Sequence, residues 1–207
     1  MPVTSKIIAA AAAAGLSATL ATTPASARVL VDPSSLTPAP PDSFNATCTR
    51  DGEHISCDLA FQDPDLVDEP GGVVCGGTEI LVSQTRSVVG KRLYDADGYL
   101  LRRHFREYLA GTFTNPATGG IVWWSQHDTV RHDLGTPGDP GTGTTAVTGL
   151  QARVWDSSGR TVLVDSGSFT VDEATGELLG SSAHHPFTAY FALGDESALK
   201  PLCDALG

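Results

Sequence analysis

Three runs separated by two turns decide the fold: TEILVSQTRSVVGKRLY (Thr78–Tyr94), YLLRRHFREYLAGTFT (Tyr99–Thr114) and IVWWSQHDTVRHDL (Ile121–Leu134). The turns between them are Asp95-Ala96-Asp97-Gly98 and Asn115-Pro116-Ala117-Thr118-Gly119-Gly120. The runs are rich in β-branched and aromatic residues, and the turns carry the Asp, Asn, Pro and Gly that reverse a chain. Connections this short join antiparallel strands, because a parallel crossover needs a dozen or more residues. Outward along the chain the pattern repeats at Thr144–Trp155 and Arg160–Val171, about the turn at 156–159, with a weaker run at Phe187–Leu193. The reading is all-β: an up-and-down antiparallel meander closing into a barrel of about eight strands, with a short helix within Asp195–Leu206. Closure suits long strands and removes exposed edges; a β-sandwich is the alternative.

Even-length turns preserve which face each side chain shares. Across 95–98, Glu107 is expected opposite Arg86, and Phe105 opposite Val88. Across 115–120, Phe113 meets Val122, Gly111 meets Trp124, Glu107 meets Asp128 and Arg103 meets His132. This face carries most of the large apolar residues, whereas Lys91, Arg102, His104 and Arg106 fall on the other, so the first is read as interior. Across 156–159 the apolar face holds Ala146, Leu150, Ala152, Val154, Leu163 and Phe169, and with them Asp165. A bulge would invert any of these assignments. The interior so deduced contains Arg86, Arg103, Glu107, Asp128, His132 and Asp165. Buried charges need partners, and convergent polar groups in an apolar interior are the usual lining of a ligand pocket. These six residues are the candidate ligand-binding set; the competing reading makes them surface ion pairs.

The first 27 residues read as a cleaved secretory signal: Lys6, an uncharged run Ile7–Leu20, Pro24, and small residues Ala25-Ser26-Ala27 before the cut. Residues 28–44, with Pro33, Pro38, Pro40 and Pro41, read as a proline-rich linker or loosely attached arm. Residues 45–207 form the domain. An exported chain with Cys48, Cys57, Cys75 and Cys203 is expected to carry two disulfides rather than a metal or a thiol nucleophile. Of the three connectivities, Cys48–Cys57 with Cys75–Cys203 is preferred. A hairpin loop at 51–54 puts Cys48 opposite Cys57, and the second bridge ties the C-terminal segment to the start of the main sheet.

All 24 acidic residues follow the signal, and the formal net charge of the whole chain is −11. That excludes generic nucleic-acid or anionic-membrane binding, which draws its affinity from a basic surface. Val164-Asp165-Ser166-Gly167-Ser168 resembles an aspartic-protease turn, but that chemistry needs two such carboxylates. His127 and His132 fall on opposite faces of one strand and cannot chelate together. Asp63, Asp65, Asp68 and Glu69 read as a solvated loop between Pro64 and Pro70. Asn45-Ala46-Thr47 matches a glycosylation sequon. There is no Gly-x-Ser-x-Gly, His-Glu-x-x-His or phosphate-binding loop, and no cofactor or metal is expected.

Cys75-Gly76, Thr114–Gly119, the Gly/Asp/Pro loop Gly135–Gly143, Asp165–Gly167 and Cys203–Leu206 occur in the order seen in a group of uncharacterised secreted actinobacterial proteins, which the chain resembles over most of residues 28–207. That resemblance supports the Cys75–Cys203 pairing. More distantly, the layout is similar to the allene oxide cyclase and dirigent type of barrel, which implies an interior for small hydrophobic molecules but transfers no catalytic residue. The leading expectation is a secreted, non-catalytic barrel holding a small apolar or anionic ligand. The second is a cyclase- or isomerase-like enzyme using Glu107, Asp128 or His132 as acid or base, with Arg86 and Arg103 holding an anion. The third is an envelope or protein-interaction module acting through its loops, for which a protruding 135–143 loop would speak.

Overall fold

The computed structural model describes residues 28–182 and 185–207; the expected signal segment, residues 1–27, lies outside them. The strands are β1 (Val29–Val31), β2 (Asn45–Asp51), β3 (His54–Gln62), β4 (Leu66–Cys75), β5 (Thr78–Tyr94), β6 (Leu100–Thr114), β7 (Ile121–Asp133), β8 (Thr144–Trp155), β9 (Thr161–Asp172) and β10 (Leu178–Ser182). Two short helices follow, α1 (Pro186–Leu193) and α2 (Lys200–Leu206). All described strand pairs are antiparallel, as the short turns require.

The ten strands form one sheet in the order β1-β2-β3-β5-β6-β7-β8-β9-β10, with β4 attached to β5. The expected closed barrel of about eight strands is therefore corrected to an open ten-stranded sheet. The reason lies in β5, whose 17 residues divide one edge between two partners. Its C-terminal half pairs with β3 and its N-terminal half with β4. β4 is a poor template for further pairing: Pro70 cannot donate, and register shifts follow Leu66 and Pro70. The acidic group expected as a loop before Pro70 is partly this edge strand, and its Asp65, Asp68 and Glu69 are solvated as expected.

The C-terminal segment bridges the edges that strand pairing leaves open. Cys75 and Thr78 flank a two-residue turn in which Gly76 and Gly77 have φ of 57° and 83°, values that glycine adopts without steric cost. By ladder alternation the amide of Val74 then points away from β5. It donates to Tyr190 Oη of α1 at 3.0 Å. Cys203 of α2 bonds Cys75, and α2 packs on β7 and β9. Phe187–Leu193, expected as a weak strand, is α1. Pro186 opens it, and Gly194 closes it in the left-handed conformation with φ 69°, the favoured pattern for helix ends. The helix expected within 195–206 is present as a 3-10 turn, Glu196–Leu199, leading into α2.

Two cores occupy opposite ends of the curled sheet. One joins Val73, Ile80, Phe113, Val122, Val154 and Leu163 to Leu199, Leu202 and Leu206 of the C-terminal helices. The other joins Leu36, Cys48, Ile55, Cys57, Leu59, Tyr94 and Leu100. Leu36 belongs to the stretch expected as a loose linker, which instead packs as part of the domain. β1 pairs with β2, Thr37 bonds the backbone of Gly98 and Leu100, and Tyr94 Oη and Arg92 donate to Pro38 O and Ala39 O. Its prolines remove competing donors, while its carbonyls remain as acceptors for interior side chains. The 135–143 loop does not protrude: Gly138 N donates to Leu100 O, and Thr142 ties back to Thr136 and Asp139.

Both disulfides form as preferred, Cys48–Cys57 and Cys75–Cys203. They fit an oxidising compartment. No helix among the described residues is long and apolar enough to cross a membrane.

Candidate functional site

Against the first of these cores, with Val73, Val82, Phe113 and Trp124 in its wall, lies a cavity of about 460 Å³, within the range of small-molecule sites. Its apolar wall includes Val82, Phe113, Trp124, Val130, Val147 and Phe169, and α1 adds Phe187, Thr188 and Phe191. The aromatic rings form a ladder. Trp124 stacks on Phe113 at 5.4 Å, Phe113 on Phe187 at 6.1 Å, and Phe187 on Phe191 at 6.4 Å. Phe191 is 58% exposed and lies beside Gly72, so the ladder runs from the interior to solvent between β4 and α1.

The polar lining comes from regular ladder positions and one irregularity. Glu107 of β6 and Asp128 of β7 are direct cross-strand partners, as the six-residue turn predicts. Arg86 donates to Glu107 at 2.9 Å and also pairs with Asp63. The β5–β6 register differs by two residues from expectation, so that Val88 and not Arg86 lies opposite Glu107. The face is unchanged, and Arg86 reaches Glu107 diagonally. Asp128 is 7% exposed. Its Oδ2 accepts from Gln126 at 2.9 Å, and its Oδ1 has no partner.

The irregularity is Gln151. Residues 125 and 127 of β7 pair with 153 and 150 of β8, so Gln151 and Ala152 together oppose Gln126. The same extra residue appears against β9. This bulge inverts the N-terminal half of β8. Val147 and Thr145 face inward and opposite Phe169 and Val171, while Ala146 and Leu150, expected inside, do not. It also aims the Gln151 amide at the cavity, where both its polar atoms are buried without a partner. Trp124 Nε1 is likewise buried and unpartnered.

The six candidate residues thus separate into three groups. Glu107 and Asp128 line the cavity, with Arg86 behind Glu107. Arg103 and His132 pair with each other elsewhere. Arg103 Nε donates to His132 Nδ1 at 2.8 Å, and His132 Nε2 contacts Thr142 O at 2.8 Å. With both ring nitrogens occupied and the ring fully buried, His132 has no free edge for acid–base work. Burial holds Arg103 below the usual guanidinium range, against the pull of the Glu173 carboxylate. Among the described residues no basic side chain lines the cavity, so the anionic part of the ligand expectation finds no counter-charge from them.

Asp165 lines the cavity but is committed to structure. Its Oδ1 meets His185 Nδ1 at 2.9 Å, and its Oδ2 accepts the Phe187 amide at 2.9 Å. His185 Nε2 faces the carbonyls of Ser182 at 2.6 Å and Ser168 at 3.3 Å. A serine triad would need a hydroxyl at that nitrogen; carbonyls stand there instead. Both ring nitrogens thus face oxygen atoms of the fold.

Sequence reasoning missed Gln126, Gln151, Trp124 as a polar group, and α1. Gln126 shares the parity of Asp128 and was legible. Gln151 became visible only through the bulge.

Burial pushes Asp128 up to about 6 from 3.8, Gln126 opposing, with the Glu107 charge adding to the rise. An acid with a raised folded-state pKa binds protons more tightly when folded. Its contribution to stability is therefore lost as pH rises from about 4 to 6. The loss is at most about 3 kcal/mol. Asp128→Asn is expected to gain stability relative to the native chain between pH 4 and 7, measured by urea denaturation across that window. A difference independent of pH would contradict it.

No protein-family model, curated protein or solved structure matches the chain.

Proposed function

We propose that this is a secreted, disulfide-stapled binding protein that takes up a small, largely apolar molecule in the cavity walled by its sheet and α1, without catalysis. The observation that carries this reading is an apolar cavity of about 460 Å³ into which Trp124, Asp128 and Gln151 direct buried, unpartnered polar atoms. An unmade hydrogen bond on a buried group costs roughly 1–3 kcal/mol, and a ligand that satisfies several such groups recovers that cost. Export is supported by the N-terminal pattern and by both disulfides. The chain's acidity speaks against nucleic acid and anionic membrane as partners.

Nile red, a neutral apolar dye, is expected to bind with a fluorescence increase. Val147→Trp, which fills the cavity from β8, should weaken it at least tenfold. Val164→Trp, on the exposed side of β9, should not. Equal binding by all three proteins would place the dye on the surface and end this reading.

One observation favours a second reading, a cyclase- or isomerase-like enzyme. Asp128, buried and with its pKa pushed up to about 6, sits directly opposite Glu107, which pairs with Arg86. A carboxyl group with a raised pKa beside an ion-paired one is equipment for acid–base work.

A further inference from the structure

Charge accounting within the cavity narrows its ligand. Three carboxyl groups line it: Glu107, Asp128 and Asp165. Arg86 pairs with Glu107, and Asp165 is held by His185 and the Phe187 amide. Among the described residues Asp128 has no cation in contact, and the Arg86 charge that reaches it is already engaged by Glu107 and Asp63. The single hydrogen bond of Asp128 comes from the neutral amide of Gln126, and its Oδ1 is bare although the residue is more than nine-tenths buried. The same cavity carries the Gln151 carbonyl oxygen, also bare, and the aromatic ladder that begins at Trp124. An uncompensated buried carboxylate is costly until a counter-charge arrives, and aromatic faces attract cations.

We infer that the cavity takes an organic ammonium ion, a primary amine on an apolar body of ring size, with the ammonium group set against Asp128 Oδ1 and Gln151 Oε1 and the body along the Trp124–Phe113–Phe187 ladder. This rests on the cavity-binding reading above and specifies its ligand class. A carboxylate ligand would meet Glu107 and Asp128 with like charge. A neutral alcohol would satisfy hydrogen bonds but leave the Asp128 charge unanswered. An inorganic cation finds too few donors: no group of three or more His, Cys, Asp or Glu residues is placed to hold a metal among the described residues. The bare Trp124 Nε1–H adds that an acceptor on the ligand body, such as an ether or carbonyl oxygen, strengthens the fit.

The test is displacement of Nile red at pH 7.5 by three probes of one shape: 4-phenylbutylamine, 4-phenylbutanol and 4-phenylbutanoate. The amine should displace the dye at least tenfold more tightly than the alcohol, and the carboxylate should be weakest. Asp128→Asn should bring the amine level with the alcohol, and an unchanged circular dichroism spectrum with a urea midpoint no lower than the native one shows that the variant is folded. Lowering the pH through about 6 should erode the amine's advantage, because Asp128 gains a proton while the amine keeps its own. The other charged groups about the cavity are Glu107 of β6 with Arg86 of β5, and Asp165 of β9 with His185 ahead of α1. The amine advantage surviving in Asp128→Asn would assign it to one of these and overturn the placement at Asp128. Equal or tighter binding of the alcohol by the native protein overturns the amine inference and leaves the cavity reading intact. Failure of the dye and of all three probes overturns both.

Discussion

Replacing Cys75 and Cys203 together by alanine is expected to cost about 5 kcal/mol of stability, more than removal of the other disulfide. The bridge spans 128 residues, and chain-entropy loss in the unfolded state grows with the logarithm of that span. The equivalent change at Cys48 and Cys57, whose separation is 9, should cost under about 3 kcal/mol. The difference is architectural as well as entropic. Cys48–Cys57 joins residues that β2 and β3 already hold opposite one another, whereas Cys75–Cys203 ties the β4 edge to α2. Urea denaturation of the two double variants, read by circular dichroism, checks the order. A Cys48/Cys57 variant less stable than the Cys75/Cys203 variant would contradict it.

Asp165→Ala is the second large effect, with an expected cost of about 1–3 kcal/mol for each of the two buried groups it leaves without a partner. His185 Nδ1 would lose the carboxylate oxygen it contacts at 2.9 Å. The Phe187 amide at the start of α1 would lose its acceptor as well. Asp165→Asn preserves shape and one acceptor, and should cost less. The loss should be local before it is global. Hydrogen exchange at 187–193 should accelerate first, while β5–β7 stay protected, and Nile red affinity should fall with it because α1 is one wall of the cavity. Uniform acceleration across all strands would show that the pair stabilises the whole sheet and not this helix. A double-mutant cycle with His185→Ala separates the coupling from the separate losses.

Much of this architecture is legible in residue order. Thr78–Tyr94 and Thr144–Trp155 are strands over the expected residues, and the β6–β7 register follows from the six-residue turn alone. Parity proved sturdier than register. Between β5 and β6 the pairing moves by two residues, yet Arg86 and Glu107 stay on one face because the shift is even. Where one residue is inserted, as at Gln151, parity fails, and nothing in the local sequence announces the insertion. The N-terminal arm was misjudged from its prolines, since the contacts that dock it come from Tyr94, Leu100 and Arg92, distant in sequence. For α1, the aromatic content of Phe187–Leu193 outweighed the Pro186 and Gly194 that mark its ends. Of the candidate site, Glu107 and Asp128 were placed correctly from alternation. Arg103 and His132 lie on the same face but farther along it, a distance that face assignment does not measure.

The position of α1 bears on the order of events after synthesis. β5 to β9 pair as sequence neighbours and can assemble hairpin by hairpin as the chain emerges, because local pairings form early. The cavity wall supplied by Phe187, Thr188 and Phe191 follows all ten strands in the chain. It docks on β4 through Tyr190 and is secured when Cys203 finds Cys75. Completion of the cavity is therefore expected to come after assembly of the sheet. In a refolding time course, the recovery of dye binding should trail that of β-structure, and reducing agent should lengthen the lag.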